Sequence, residues 1–77
     1  MIIKTNCISL TFAQIARLKG DRIARHLKSI EAGDVIELDV VATGADTYTV
    51  APGSRHRLMA CNLAGLARVP VRVVSAP

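Results

Sequence analysis

The sequence predicts a small α/β (α+β) domain, a mixed sheet with two to three helices. Three observations predict it. The chain has 77 residues, enough for one domain, and its 51% hydrophobic share is almost entirely aliphatic. Stretches of helical period alternate with β-branched stretches in the order strand, helix, helix, strand, strand, helix, strand. Glycine or proline stands at most of the changes.

The elements follow in chain order. Residues 2–10 alternate weakly and hold Ile2, Ile3, Ile8 and Leu10, which suits a first strand. Thr11 is placed to cap a helical turn over 12–19, and Gly20 to end it. Asp21 then caps a helix over 22–32. Its Ile23, Leu27 and Ile30 share one face, its Arg22, Arg25, His26 and Lys28 lie elsewhere, and Gly33 stops it. Residues 35–41 are the clearest strand, with Glu37 and Asp39 on one face at the period of two. Thr43-Gly44-Ala45-Asp46 turns the chain into a strand over 47–50, making a hairpin. Ala51-Pro52-Gly53 breaks that strand, Gly53 being free to take a positive φ. Ser54 is expected to cap a helix over 55–64 whose Leu58, Cys61 and Leu63 face inward. Gly65 ends it, residues 69–74 form the closing strand, and Ser75-Ala76-Pro77 is a tail.

Charge and cysteine usage narrow the function classes. Ten Lys/Arg against six Asp/Glu give a formal charge of +4, which favours phosphate-bearing partners without proving them. The two cysteines, Cys7 and Cys61, form no CxxC pair, and no run nears the ~20 apolar residues of a membrane span. No secretory signal is read at the start, so a cytoplasmic protein with reduced thiols and no membrane association is expected. Cys7, His26, His56 and Cys61 match no zinc spacing, so no metal is expected. Tyr48 is the aromatic considered for base stacking, and one ring is a poor platform for a single-strand reader.

The loop from Gly53 to Arg57 carries the chemistry. A glycine opens a helix whose first turn holds Arg55, His56 and Arg57. Cations at a helix N-terminus oppose the macrodipole, at about 0.3–1 kcal/mol each. A bound anion offsets that cost, so Gly53, Ser54, Arg55, His56 and Arg57 form a candidate phosphate or nucleotide site. Arg55 and Arg57 would neutralise charge, His56 would donate a hydrogen bond, and Gly53 would let the backbone come close. Arg22, Arg25, His26 and Lys28 form a candidate nucleic-acid or partner surface, though a charged helix face is more often simply solvated.

These motifs resemble the ParB/sulfiredoxin superfamily. Gly53-Ser54-Arg55-His56-Arg57-Leu58-Met59-Ala60 is similar to its "G-x-x-H-R-x-x-A" or "G-E-R-R" signature. Gly65-Leu66-Ala67-Arg68-Val69-Pro70-Val71-Arg72-Val73 matches "G-L-x-x-V-P-V-x-V". Leu27-Lys28-Ser29-Ile30-Glu31-Ala32-Gly33 matches "L-x-x-S-I-x-x-G", and Tyr48-Thr49-Val50 the "Y-x-V" strand. The likeness runs over residues 23–74 of the single domain, 1–77. It implies that family's small α/β fold and phosphate binding; it fixes no cofactor, a nucleoside triphosphate being the one it allows.

Two departures bear on catalysis. Sulfiredoxins carry their catalytic cysteine just before the His-Arg pair, where this chain has Arg55. The ParB motif acid linked to nucleotide hydrolysis is replaced by Ser54, whose neutral hydroxyl is no carboxylate base. The 77 residues also leave no room for ParB's helix-turn-helix and dimerisation domains. The expected function is therefore a stand-alone module that binds phosphate groups of DNA or a nucleotide without self-sufficient catalysis. It would serve as an accessory or regulatory protein of a plasmid or phage. Two alternatives stay open. One is an inhibitor acting by contact with a host or plasmid protein complex, such as a CRISPR-type defence complex or a transfer machine. The other is a nuclease or nucleotide hydrolase or kinase.

Overall fold

The computed structural model describes residues 1–75; of the expected tail, Ala76 and Pro77 lie outside the described residues. Five strands and three helices form a mixed sheet covered by helices: β1 (Ile2–Lys4), β2 (Ile8–Ser9), α1 (Phe12–Ala16), α2 (Gly20–Glu31), β3 (Leu38–Ala42), β4 (Tyr48–Val50), α3 (Arg55–Leu63) and β5 (Arg68–Val73). The sheet order is β1-β5-β3-β4-β2. β3 runs parallel to β5 and antiparallel to β4, β1 pairs antiparallel with β5, and β2 pairs parallel with β4.

That order forces the sheet to curl. β1 and β2 are consecutive yet occupy opposite edges, joined only by a 3-10 turn, Thr5–Cys7. The four steps from Lys4 to Ile8 reach at most about 14 Å. Two edges of a flat five-stranded sheet stand about 19 Å apart. The expected single strand over 2–10 is thus two strands. Thr5 explains the break, because its buried backbone N–H donates to the Ala67 carbonyl at 2.9 Å and its hydroxyl donates to the Leu66 carbonyl.

The core follows the period of two along the central strands. Leu38 and Val40 of β3, Val50 of β4, and Val69 and Val71 of β5 meet Leu58 and Cys61 of α3, all at 2% exposure or less. Leu63, expected to face inward, is 63% exposed, because two residues past the buried Cys61 a helix has turned to its opposite side. α2 packs against α3 with Ile30 touching this core.

Helix ends obey local chemistry. Gly33 (φ 90°) and Gly65 (φ 74°) end α2 and α3 as expected. In each case the glycine N–H and the next N–H close a Schellman motif: Gly33 and Asp34 donate to Ile30 and Ser29, Gly65 and Leu66 to Asn62 and Cys61. Thr11 caps α1 in a capping box with Gln14. α1 stops at Ala16 rather than at 19, and α2 starts at Gly20 with Lys19 as N-cap, so Gly20 opens a helix instead of ending one and Asp21 sits in its first turn. The cause is a tertiary bond to Lys19, described below. Residues 35–37 precede β3 rather than belonging to it, and Gly53 lies in a 3-10 turn (Pro52–Ser54) without a positive φ.

Candidate phosphate-binding groove

The five residues from Gly53 to Arg57 diverge in space. Gly53 is exposed, and a Cβ added there would meet open space. Ser54, expected to cap α3, is 1% exposed, and its Oγ accepts the Asp39 N–H at 3.0 Å instead. The hydroxyl supports the start of β3 and does not face an anion.

His56 is 6% exposed, and its Nε2 accepts the Lys19 N–H at 3.0 Å. That bond calls for a neutral ring with its proton on Nδ1, so the Nε2 side of His56 holds α2's entry. Burial, then the positive charges of Arg55, Arg22 and His26, lowers its pKa against a smaller opposing effect of Asp21. Arg55 folds back, one guanidinium nitrogen donating to the Pro52 carbonyl at 2.9 Å, while its Nε is buried without a hydrogen-bond partner among the described residues.

Arg57 alone of the five points into a groove. This concavity of about 440 Å³ lies between α2, the lead into β3, and the outward side of β3 and β5. His26 and Ser29 enter it from α2, Arg57 from α3 and Arg72 from β5, while Asp34, Glu37 and Asp39 bring carboxylates. Arg72 is already engaged: the parallel register sets it beside Asp39, and two guanidinium bonds of 3.0 Å close a bidentate pair. That pair holds the Asp39 carboxyl below its ordinary pKa, the hydrogen bond from Arg72 being the largest cause, and raises Arg72. Arg57 takes part in no described salt bridge or side-chain hydrogen bond, leaving its fork free. His26 beside it has a pKa lowered by burial first, then by Arg57 and Arg25.

Of the α2 cations read from the sequence, Arg22, Arg25 and Lys28 are exposed, and His26 is half-buried in the groove. No motif in the sequence marks Ser29, Asp34, Asp39 and Arg72 as groove residues. The Arg72–Asp39 pair had a signal, the period of two on neighbouring strands, but the register was not readable from one sequence. Tyr48 packs partly buried on the core, and the exposed aromatic is Phe12, at 93%. Burial pushes the Cys61 thiol pKa up, so it is a packing residue.

A curled mixed sheet, a helix start after a strand and a 3-10 turn, and a groove with one arginine free among the described residues define a small α/β domain. A scan of protein-family models and a search of curated proteins each find no match. Solved structures do match. The C-terminally truncated chromosome-partitioning protein ParB from Caulobacter crescentus, complexed with CTP-γ-S, aligns over 100% of this chain at TM-score 0.73 and 22% identity. The chain spans 44% of that ParB chain's length. Sulfiredoxin from Arabidopsis thaliana aligns over 97% of this chain and 88% of its own, at TM-score 0.69 and 21% identity. The chain has the ParB/sulfiredoxin-like fold. No helix among the described residues is long and apolar enough to cross a membrane.

Proposed function

We propose that the protein is a ParB-like module that binds the phosphate groups of a nucleoside triphosphate in the groove beside Arg57. The free Arg57 guanidinium beside the start of α3 carries this reading. Asp34 and Glu37 would accept hydrogen bonds from a base or ribose, and the Ser29 hydroxyl would turn from the Arg25 carbonyl, 3.4 Å away, to a phosphate oxygen. A volume of about 440 Å³ suits a ligand of nucleotide size. The CTP-γ-S complex of the ParB neighbour supports the choice of nucleotide. Ser54 and Arg55 stand where hydrolytic and thiol chemistry would need an acid and a cysteine, so binding without turnover is the reading. A role as accessory protein of a plasmid or phage belongs to the same proposal.

Thermal unfolding with CTP, ATP, GTP, UTP and inorganic phosphate tests it. A ligand at a hundred times its Kd stabilises by about 2.7 kcal/mol. A nucleotide-dependent rise in Tm that Arg57→Ala abolishes supports the groove. Equal, small rises with all five ligands in both proteins contradict it.

A further inference from the structure

The net charge of the chain is confined to one segment. Five of the ten Lys/Arg and one of the six acids lie between Phe12 and Lys28, which therefore carries all of the formal +4. The remaining five cations are matched by five acids. This segment also holds the most exposed large apolar side chain of the described residues, Phe12 at 93%, with Ile15 at 48% on the same short helix. α1 buries none of its residues. It is held to the body by Gln14, which donates to the Val50 carbonyl at 2.8 Å, and by the Lys19 bond to His56.

α2 continues the pattern. Ile23, Leu27 and Ile30 are half-buried, while Arg22, Arg25 and Lys28, three residues apart, stay exposed. At 1.5 Å rise per residue these three span about 9 Å along the helix. Arg17 and Lys19, both exposed, lie between them and Phe12 along the chain.

We infer that the α1–α2 face binds single-stranded nucleic acid, Phe12 stacking on a base while Arg17, Lys19, Arg22, Arg25 and Lys28 track the phosphates. Charge complementarity selects the occupant. Five cations against Asp21 alone call for a polyanion. A lone ring is no platform for several bases, but Phe12 offers one base a π-face while the cations carry most of the affinity. Duplex bases are stacked already and offer Phe12 nothing. The cations of this face reach the rim of the groove beside Arg57, since Arg25 acts on the groove-lining His26, but the inference stands whether or not that groove takes a nucleotide.

Fluorescence anisotropy with labelled oligothymidine, its duplex, and phosphatidylserine vesicles as a rival surface tests it. Oligothymidine should bind more tightly than duplex. Phe12→Ala and Phe12→Leu should each weaken it about tenfold, a single-base stacking effect, and Phe12→Tyr should restore it. Neither Tm nor nucleotide binding should change in these variants. Arg22→Ala/Arg25→Ala/Lys28→Ala should lower the salt slope of single-strand binding by roughly 2. Equal affinity for duplex, full binding by Phe12→Leu, or binding to vesicles without oligothymidine overturns the inference.

Discussion

The ring of His56 accepts the backbone N–H of Lys19 at 3.0 Å, so a residue at the start of α3 sets where α2 begins. The bond needs a neutral ring. Burial and the surrounding cations keep the pKa of His56 below its ordinary value, and His26 is lowered too. For such groups the unfolded chain binds more protons, so stability rises with pH. The contribution is complete above the unfolded value near 6.5 and is lost as pH falls through the lower folded value.

Urea unfolding at a series of pH values should therefore show stability falling from about pH 6.5 downward. His56→Phe should reduce this slope without removing it, because His26 still titrates. The variant should also cost about 1 kcal/mol at neutral pH, from the lost bond to Lys19. An unchanged slope in His56→Phe would contradict the assignment.

Ser54→Ala should destabilise, although the sequence alone marks Ser54 as a helix cap and a phosphate-binding candidate rather than a core support. The hydroxyl is 1% exposed and is the acceptor for Asp39 N–H. Leaving a buried donor unmet costs about 1–3 kcal/mol, and each 1 kcal/mol lowers Tm by roughly 4–8 °C in a domain of this size. Calorimetry checks the shift.

Gly65→Ala tests the end of α3. The left-handed φ of 74° costs a Cβ-bearing residue about 1–2 kcal/mol, with open space around the site. The same change at Gly53, which lacks a positive φ, should leave the denaturation midpoint nearly unmoved.

Asp39→Asn should tighten nucleotide binding several-fold. The substitution removes a carboxylate from the groove and releases Arg72 from its bidentate partner. Since Asp39 and Arg72 are exposed at 33% and 65%, the pair itself adds little to folding. Weaker binding in this variant would mean that Asp39 contacts the ligand favourably.

Much of the fold was readable because it rests on local rules. Gly33 and Gly65 announce positive-φ helix ends, Thr11 announces a cap, and the β-branched stretches give β3 to β5 within a few residues. The sequence motifs around Ser29, Tyr48, Gly53 and Gly65 led to the ParB/sulfiredoxin-like fold that the solved structures bear out. The rest depended on distant partners. Thr5 divides the first strand by bonding to Leu66 and Ala67, and His56 moves the α1–α2 boundary by bonding to Lys19. For the same reason, five consecutive residues read as one cradle separate into two inward supports, a folded-back arginine, an exposed glycine and one free cation. Phe12 and Tyr48 could not be told apart by residue type, since only packing decides which ring is left in water.

Isothermal titration of CTP into the wild-type protein, Arg57→Ala and Arg55→Ala tests the central claim most directly. The account predicts saturable binding that weakens tenfold or more in Arg57→Ala and far less in Arg55→Ala, whose guanidinium folds back onto Pro52. Equal binding by the wild type and Arg57→Ala, or no heat of binding from a folded wild-type protein, would contradict it.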